Sequence, residues 1–472
     1  MTNNPFSLFS LSSLIPVIGY LSLSACTIGA FSPFVTRENR PILWKNRDVQ
    51  NPDQEVKLLS GPRFRFVANV YAGETLDVWA GINEAGFAIM NSNSYNLSCE
   101  AGKSILARTA PARYAGTSDD GNIMRLALGS CATVEDFARL LDSLNVIGRE
   151  TPANYGVFDS TGTTAIFEAS NTYYTRYDAN LDPLRFLLRA NYSLSGGPSR
   201  LLGKNRFERA MQLCSLQQQQ GPISVKFIIQ TLCRDLGQVG FNPYPLPFLS
   251  RLEPLPYGYL PTDTTICRHL TRSAEIMVGP QPGCSPRTTM MWILLGEPVA
   301  TLPVPLWVQA GTPPEELDGD LTAKICDEAQ QLCAWLYPEP EFPRAINTFR
   351  LARWLDYIAE TESKLWALFE RNESLFSETG PDSATAARLT QECCNLLIDA
   401  YQHFWNSVEP ERTPLELKTR PKTIPTLQNS SLKLDGAWVL FDATGRKVTT
   451  PVTAGLFFLI DGEKRLRVVR LN

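Results

Sequence analysis

Cys26 is the residue best placed to do chemistry, because it follows an apolar leader and begins a strand-like stretch. The 25 residues before it contain no charged side chain, and Ser24 and Ala25 immediately precede the sulfur. Small residues after an apolar run are typical of a signal-peptide cleavage site, although the usual positive start is missing. The sequence therefore predicts a leader, residues 1–25, whose removal makes Cys26 the first residue of the mature chain.

Two other interpretations of this segment stay open. The residues LSAC at 23–26 also fit a bacterial lipobox, in which Cys26 would carry a lipid. Alternatively, residues 1–25 are retained as an apolar strand or helix. Lipidation would turn the sulfur into a thioether and acylate the amine, whereas catalysis needs both groups unmodified. The interpretations therefore exclude one another in any single molecule.

Histidine is scarce, since the chain has only His269 and His403. His403 lies in an amphipathic helical pattern that favours a helix surface, and His269 lies in a strand-like stretch that favours packing or hydrogen bonding. An imidazole base and metal sites built on histidine pairs are therefore disfavoured, and we expect no cofactor and no metal. If the chain is an enzyme, another group acts as its base.

An N-terminal cysteine supplies such a base itself, because the α-amino group of the nucleophile can accept the proton. That amine titrates at about 7.7–8.0, so roughly a tenth of it is neutral at pH 7. The thiol beside it titrates at about 8.5 and is intrinsically very nucleophilic. Cys26 meets this requirement once residues 1–25 are removed.

The composition describes a folded, mildly acidic protein. The chain has 472 residues, 44% of them hydrophobic and 19% charged, with a net charge of -4. This length predicts two or three domains, and this charge disfavours nucleic acid as a partner. The eleven cysteines lack CxxC spacing, which disfavours zinc ribbons and dense disulfide frameworks. One or two disulfides stay open, and most thiols are expected to be small buried apolar groups.

Short strands and turns dominate the chain as far as about Val308. Helices are predicted at 133–144, where Thr133 and Asp136 have capping-box spacing, and at 205–216 and 224–236. The strands are predicted at 40–48, 64–73, 75–82, 86–92, 153–160, 163–170, 172–178, 264–271, 273–279 and 288–296. Residues 311–410 have helical periodicity, 411–432 form a linker, and 433–472 return to a small β-module.

Six phrases follow Cys26 in order: CTIG, RPILWKNRD, WAGINEAGFAIMNSNSYNL, ANYGVFDSTGTTAIFEASNTYYTRYD, LLRANYSLSGG and GKNRFERAMQL. Together they resemble the N-terminal-nucleophile (Ntn) cysteine hydrolases, the group of choloylglycine hydrolases, penicillin V acylases and acyl-coenzyme A:6-aminopenicillanate acyltransferases. The acyltransferase-like branch matches best. The resemblance spans 26–310 and implies an α+β fold, a four-layer αββα sandwich of two stacked antiparallel sheets with the nucleophile at the start of a strand.

The resemblance also implies roles for individual residues. Cys26 is the expected nucleophile, and Asp48 is the partner that positions its sulfur and amine. Asn191 matches the asparagine that donates to the oxyanion, and Arg206 matches the arginine that supports the Cys–Asp geometry. Lys45 stands where bile-salt hydrolases carry an arginine, which puts that contact in doubt.

The second oxyanion donor is either Asn91 or Asn93, because a one-residue gap decides between them. Both follow the segment GINEAGF, whose residues 83–86 are predicted to form a hairpin turn that serves the fold alone. One neutral donor to an oxyanion can be worth about 2.7–4 kcal/mol. An asparagine supplies it without competing for the proton of the amine.

Residues 438–472 resemble the C-terminal sorting domains of the Bacteroidetes-type secretion system, with Phe457 at the common tyrosine. This implies export machinery as a partner and a periplasmic, cell-surface or extracellular location. A structural β-domain that packs on the helical segment is the alternative.

We therefore expect an exported cysteine amidohydrolase that cleaves a linear, non-peptide amide C–N bond through an acyl-enzyme, with a small-molecule amide as substrate. Acyl transfer from an amide or thioester to an amine is one alternative. A catalytically dead surface lipoprotein with a binding role is another. The sequence allows a homo-oligomer, and it leaves open the substrate and how Cys26 is freed.

Overall fold

The computed structural model divides the chain into two units, Met1–Thr413 and Pro414–Asn472. It describes residues 25–98, 120–319, 322–373 and 378–408, and the backbone of three strands within 438–471. The predicted leader before Ala25, the predicted linker at 411–432 and Cys99 lie outside the described residues.

The strands are numbered in chain order: β1 (Ala25–Phe31), β2 (Ile42–Asp48), β3 (Gln54–Ser60), β4 (Arg65–Tyr71), β5 (Ala80–Asn83), β6 (Ala88–Asn93), β7 (Ala153–Phe158), β8 (Thr164–Ala169), β9 (Tyr174–Asp178), β10 (Phe186–Arg189), β11 (Tyr259–Pro261), β12 (Thr271–Val278), β13 (Met290–Leu295), β14 (Val304–Leu306), β15 (Ala345–Asn347), β16 (Trp438–Asp442), β17 (Gly455–Asp461) and β18 (Leu466–Leu471).

The helices are α1 (Asp120–Ser130), α2 (Val134–Ile147), α3 (Lys204–Gln220), α4 (Val225–Phe227), α5 (Lys324–Leu336), α6 (Thr348–Glu373) and α7 (Ser383–Val408). A π-helical turn, Ile228–Leu232, follows α4, and short 3-10 turns lie at Pro286–Thr288, Pro298–Ala300 and Val308–Ala310. No helix in the part of the chain that the structure describes has the length and apolarity to cross a membrane.

Two antiparallel sheets form the centre of the first unit. One has six strands in the order β10-β1-β2-β12-β13-β14, and the other has seven in the order β3-β4-β5-β6-β7-β8-β9. Hairpins join successive strands of the second sheet, including the predicted turn at 83–86, except that α1 and α2 lie between β6 and β7. Gly86 there has a φ of +82°, a conformation that side chains with a Cβ rarely adopt.

The two sheets stack face to face, since β1 and β2 lie against β6 and β7. At Gly156 in β7, a Cβ would lie 2.5 Å from Met90 Cε and 3.7 Å from Leu43 Cδ2 of the opposite sheet. Close packing of this kind explains why a glycine occupies the middle of a strand.

Helices cover the outer faces of both sheets. Ile123 of α1 and Phe137 of α2 pack on the seven-stranded sheet through residues such as Phe167. On the other side, α3 contacts β10, α5 contacts β13 and α7 contacts β14. The layers therefore run helix, sheet, sheet, helix, which confirms the expected αββα sandwich.

The sequence predictions of helices held best where local signals were strong. The capping box is present: Asp136 N donates to Thr133 Oγ1 at 3.0 Å, and Thr133 N donates to Asp136 Oδ2 at 3.0 Å. The predicted helix at 224–236 is shorter, because α4 passes into the π-helical turn that ends at Leu232. Helices α5, α6 and α7 lie within the predicted helical segment 311–410.

The strand predicted at 264–271 is wrong, since the chain there bends and turns until β12 begins at Thr271. Hydroxyl groups compete with a strand ladder in this stretch. Thr265 Oγ1 donates to Thr262 O at 3.1 Å, and Arg268 N donates to Thr271 Oγ1 at 2.9 Å. The first half of the predicted strand at 75–82 is also irregular, and only β5 forms there.

The ten cysteines among the described residues are free thiols, so none of the disulfides left open by the sequence forms there. In the second unit, β16, β17 and β18 form an antiparallel sheet within the predicted β-module. Its role in sorting stays a prediction.

Candidate active site

Strand β2 is a central strand that buries four consecutive polar residues, Lys45, Asn46, Arg47 and Asp48. Burying polar groups is costly unless they are hydrogen-bonded, so such a run indicates a built site rather than a packed core. Cys26 lies beside it in β1, directly paired with Arg47, and is 5% exposed. Its nitrogen is a peptide amide in this chain, because Ala25 precedes it.

Asp48 ends β2 and is held by three side chains. Thr271 Oγ1 donates to Asp48 Oδ1 at 2.7 Å, Arg268 Nη1 donates to Oδ2 at 3.2 Å, and Arg206 Nη1 lies 3.8 Å from Oδ2. Burial raises the pKa of the Asp48 carboxyl, and the guanidinium groups of Arg268 and Arg206 oppose that rise. The carboxylate is therefore fixed by two cations and one hydroxyl.

Arg206 ties this carboxylate to the backbone of the cysteine. Its Nη1 donates to Cys26 O at 2.5 Å and to Thr27 Oγ1 at 2.8 Å, and its Nη2 donates to Asn191 Oδ1 at 2.6 Å. Gly203 precedes the helix with a φ of +79°, and a Cβ there would lie 2.3 Å from Arg206 Nη2. A glycine at this position thus makes room for the guanidinium.

Asn191 contacts the main-chain nitrogen of the cysteine. The Cys26 N–H donates to Asn191 Oδ1 at 2.9 Å, and Asn191 Nδ2 donates to Asn93 O at 3.2 Å. The amide oxygen therefore faces the atom that becomes the α-amine when residue 25 is removed. Its predicted part in holding an oxyanion stays a prediction.

Lys45 and Asn91 form a second chain of contacts from the same site. Lys45 Nζ donates to Trp79 O at 2.6 Å and to Asn91 Oδ1 at 2.7 Å, and Asn91 Nδ2 donates to Asp120 Oδ2 at 2.5 Å. Both ends of the Asn91 amide are thus engaged. The side chain of Asn93, the other candidate, hydrogen-bonds to Tyr95.

The thiol of Cys26 lies between opposing influences. Burial raises its pKa, and the Asp48 carboxylate adds to the rise. The Lys45 ammonium, the Asp48 backbone amide and the Arg47 guanidinium lower it. Ionisation of this sulfur therefore depends on the cations of β2.

A cavity of about 400 Å³ opens beside Ala25. Its lining includes Tyr95, Lys204, Arg206 and Arg268. Ala25, the residue before the cysteine, forms part of its lining. Its wall carries more cations than anions, with Asp263 as the acidic member.

Three residues of the site were missed by sequence reasoning: Arg268, Thr271 and Asp120. Arg268 and Thr271 lie in or beside a segment assigned to a strand, and Asp120 has no motif around it. The available signal was Arg268 and His269, two polar residues that interrupt the apolar residues before β12. The structure brings Cys26, Asp48, Asn191, Arg206, Lys45, Asn91 and Asn93 into one neighbourhood through the contacts above.

The two histidines take other places. His403 is exposed on α7, and its Nδ1 lies 2.7 Å from Asp399 O. His269 lies in the turn before β12, not in a strand, and burial lowers its pKa to about 4, so it is neutral near pH 7. Within the described ranges, no group of three or more His, Cys, Asp or Glu side chains has the geometry to hold a metal ion.

Comparisons with known proteins give structural likenesses only. No family model and no curated protein sequence matches the chain. Among solved structures, a penicillin V acylase from Agrobacterium tumefaciens is 16% identical, with 60% of this chain and 85% of that chain covered and a TM-score of 0.34.

Two more solved structures resemble the chain to a similar degree. The Caenorhabditis elegans ortholog of N-acylethanolamine-hydrolyzing acid amidase is 14% identical, covers 57% of this chain and 99% of its own, and has a TM-score of 0.35. A variant of the conjugated bile acid hydrolase from Clostridium perfringens is 12% identical, with coverages of 62% and 95% and a TM-score of 0.36. All three TM-scores are below 0.5, so these likenesses carry no argument about function.

Proposed function

We propose that the protein hydrolyses a linear amide C–N bond with Cys26 as an N-terminal nucleophile, and that residues 1–25 are removed to free it. The observation that supports this proposal is the convergence of Asn191 and Arg206 on the main-chain atoms of Cys26. Any buried peptide N–H needs an acceptor, and the backbone of a neighbouring strand usually supplies it. Here the contacts come from the side chains of Asn191 and Arg206, which would also hold the α-amine of a mature Cys26 in place.

In the proposed reaction, the α-amine takes the proton from the sulfur as the sulfur attacks the carbonyl carbon of the substrate. Negative charge collects on the carbonyl oxygen, where the amide groups of Asn191 and Asn93 act as donors. Asn91 is the alternative to Asn93 as the second donor, although its amide already binds Lys45 and Asp120. The C–N bond then breaks as the ammonium of Cys26 protonates the departing amine.

The acyl group is left as a thioester on Cys26, and water completes the cycle. The α-amine accepts a proton from the water that attacks the thioester, and it returns that proton to the sulfur as the acid leaves. Asn191 Oδ1 orients the amine throughout, since it already accepts from this nitrogen. The Arg206 guanidinium, which donates to Cys26 O, disfavours protonation of the amine, whereas the Asp48 carboxylate favours it.

The experiment that tests this proposal is a small panel of N-acyl amides offered to the wild-type protein and to Cys26→Ala. We expect release of free amine by the wild type alone. Amidase activity that survives in Cys26→Ala would dispose of the mechanism. Adding a second amine to the assay separates transfer from hydrolysis, because transfer yields a new amide.

Mass spectrometry of the mature N-terminus tests the processing step. An unblocked Cys26 at the terminus is expected, and an acylated, thioether-linked Cys26 would instead support the lipoprotein alternative. The proposal includes export, with the C-terminal β-module as a sorting element. A mature protein recovered only inside the cell with its leader intact would contradict that part.

A further inference from the structure

Cys26 shares one face of the six-stranded sheet with two buried cations. Paired residues of neighbouring strands project to the same side, and the register pairs Cys26 with Arg47 and Ile28 with Lys45. Lys45 and Arg47 are each 1% exposed. Two positive charges are thus buried on the side of the sheet that carries the sulfur.

The ammonium of Lys45 is anchored in the opposite sheet, where the pairing of β5 with β6 ends at Ala80 and Met90. The next residues, Trp79 and Asn91, supply the two oxygens that accept from Nζ, at 2.6 and 2.7 Å. An ammonium has three donors and no acceptor, so a buried one must find oxygens of this kind. Its position is therefore fixed at the point where the pairing of β5 with β6 ends.

Asp120 decides which end of the Asn91 amide meets the lysine. Asp120 Oδ2 accepts from Asn91 Nδ2 at 2.5 Å, which turns Asn91 Oδ1 toward the ammonium. Without a carboxylate in that place, the amide could present its NH₂ group to Lys45 and remove one acceptor. Asp120 is the first residue of α1 and is 4% exposed.

Arg47 provides an internal contrast, although it is the residue paired with Cys26. Its guanidinium carbon lies 4.4 Å from the ring centroid of Tyr71 and 4.3 Å from that of Trp79, two rings that also contact each other. Its Nη1 donates to Gln54 Oε1 at 2.5 Å. The two rings and Gln54 hold this charge through contacts other than those that hold the Lys45 ammonium.

We infer that Asp120 and Asn91 are positioning residues that hold the Lys45 ammonium as the counter-ion of the Cys26 thiolate. This inference rests on the proposed function for the use of that thiolate. Burial lowers the pKa of the Lys45 ammonium, and the charges of Cys26 and Glu275 oppose that fall. In the inferred pair the lysine transfers no proton, and the sulfur loses its own to the α-amine of the mature chain. Among nearby charges, the Lys45 ammonium lowers the pKa of the Cys26 thiol most. The Cys26 charge in turn raises the pKa of Lys45.

Other charged and titratable groups also face this pair, and each is held by contacts of its own. They are Arg47 and Asp48 of β2, Glu275 of β12, Asp120 of α1, Arg206 of α3, Arg268 before β12, and Tyr95. Glu275 is paired with Lys45 in the sheet and favours its charged form.

The test measures the rate at which iodoacetamide alkylates Cys26 between about pH 6 and pH 11, read by mass spectrometry of the peptide that contains it. Lys45→Met is expected to move the midpoint of this profile upward by about one pH unit or more. Lys45→Arg keeps a positive charge and is expected to restore most of the shift. Arg47→Met, which removes a buried cation from the same face, is the matched control and should move the midpoint less.

The direction of the midpoint shift in Asp120→Leu separates positioning of Lys45 through Asn91 from a direct electrostatic effect of the Asp120 charge. Loss of a nearby negative charge would by itself move the midpoint downward, whereas loss of the anchor for Asn91 and Lys45 moves it upward. We expect an upward shift, and Asn91→Leu should shift the midpoint in the same direction. A downward or absent shift in Asp120→Leu would overturn the inference, as would equal shifts in Lys45→Met and Arg47→Met.

The outcome is independent of turnover, because alkylation needs only the sulfur. If Cys26→Ala keeps its amidase activity, the proposed function fails. The alkylation profiles still test whether Asp120 and Asn91 hold Lys45 as the counter-ion of Cys26. Each variant is compared with the wild type by cooperative thermal unfolding, and a variant that does not fold is replaced in the test by Asn91→Leu, which leaves both charges in place.

Discussion

Two regions of the described chain each have a buried thiol near a carboxylate, and the two carboxylates are held by different kinds of donor. At the Cys26 site, Asp48 is held by the guanidinium groups of Arg268 and Arg206 and by one hydroxyl. At the second region, which we call the Glu297 cluster (Cys267, Glu297, Cys333 and Tyr337), the donors are neutral. Tyr337 Oη donates to Glu297 Oε1 at 2.6 Å, and Cys333 Sγ donates to Oε2 at 3.5 Å.

The charge of the surroundings separates the two regions. Burial raises the pKa of Glu297 to about 7, since the donors that bind it are neutral and the charge of Arg272 opposes the rise only in part. Burial and the Glu297 charge raise the pKa of the Cys267 and Cys333 thiols well above the ordinary value. The Cys26 sulfur, by contrast, has Lys45 and Arg47 to favour its ionised form. A buried thiol thus becomes a candidate nucleophile through nearby cations, and burial beside a carboxylate alone makes it inert.

The largest expected difference between the regions is in catalysis. Cys26→Ala should lower the rate of amide hydrolysis by about 10⁴-fold or more, because the nucleophile is lost. Cys267→Ala, a matched loss of a buried thiol, should leave the rate within the same order of magnitude. Steady-state release of amine from one N-acyl amide measures both. Similar losses of rate in the two variants would mean that Cys26 differs from Cys267 in no way that matters for catalysis.

The next difference concerns stability at pH 7. Asp48→Asn leaves two buried guanidinium groups facing a neutral amide, so we expect the free energy of unfolding to fall by about 3–5 kcal/mol. Glu297→Gln places a neutral amide among neutral donors and should lower that free energy by no more than about 1 kcal/mol. Urea denaturation followed by tryptophan fluorescence gives both values. A larger loss for Glu297→Gln than for Asp48→Asn would reverse the comparison.

The pH dependence of stability sharpens the contrast at Glu297 itself. Its pKa rises from 4.5 to about 7 on folding, so the protonated form favours the folded state. That contribution is complete below about pH 4.5 and is lost as the pH rises through about 7, which amounts to about 3 kcal/mol. Between about pH 5 and pH 8, Glu297→Gln should therefore gain about 2–3 kcal/mol relative to wild type.

Urea titrations of the two proteins at a series of pH values measure this difference. The difference between the two proteins cancels the titration of all groups that they share, including Asp48. A difference that does not change with pH would mean that Glu297 stays ionised in the folded protein, and the two regions would then be electrostatically alike.

Local sequence signals predicted many of the strands, turns and helices, whereas the αββα sandwich and the site residues other than Cys26 were expected from the resemblance to the Ntn hydrolases. The capping box at Thr133 and the turn at 83–86 depend on neighbouring residues, and both formed as expected. Cys26 and Asp48 lie on adjacent strands joined by a short connection, so their proximity follows from one hairpin pairing. Their functional roles stay proposals.

The remaining residues of the site depend on distant pairing, which single-sequence periodicity does not encode. Arg268 and Thr271 reach Asp48 only because β12 pairs with β2, at a separation of more than 200 residues. Asp120 meets Asn91 through the packing of α1 on β6. The apolar residues before β12 predict a strand, but the hydroxyl groups in this stretch bind backbone groups and the chain there is irregular.

The smallest expected difference comes from removing one hydroxyl in each region. Thr271→Val keeps the shape of the side chain but deletes both the donor to Asp48 Oδ1 and the acceptor of Arg268 N, so stability should fall by about 1–3 kcal/mol. Tyr337→Phe deletes the donor to Glu297. Because the Glu297 carboxyl can stay protonated at pH 6, the free energy of unfolding at that pH should fall by less than about 1 kcal/mol. Urea denaturation of both variants tests the order. If Tyr337→Phe lowers the free energy of unfolding at pH 6 more than Thr271→Val does, the Tyr337 hydroxyl holds Glu297 as an anion. Neutral donors would then stabilise a buried carboxylate as well as guanidinium groups do.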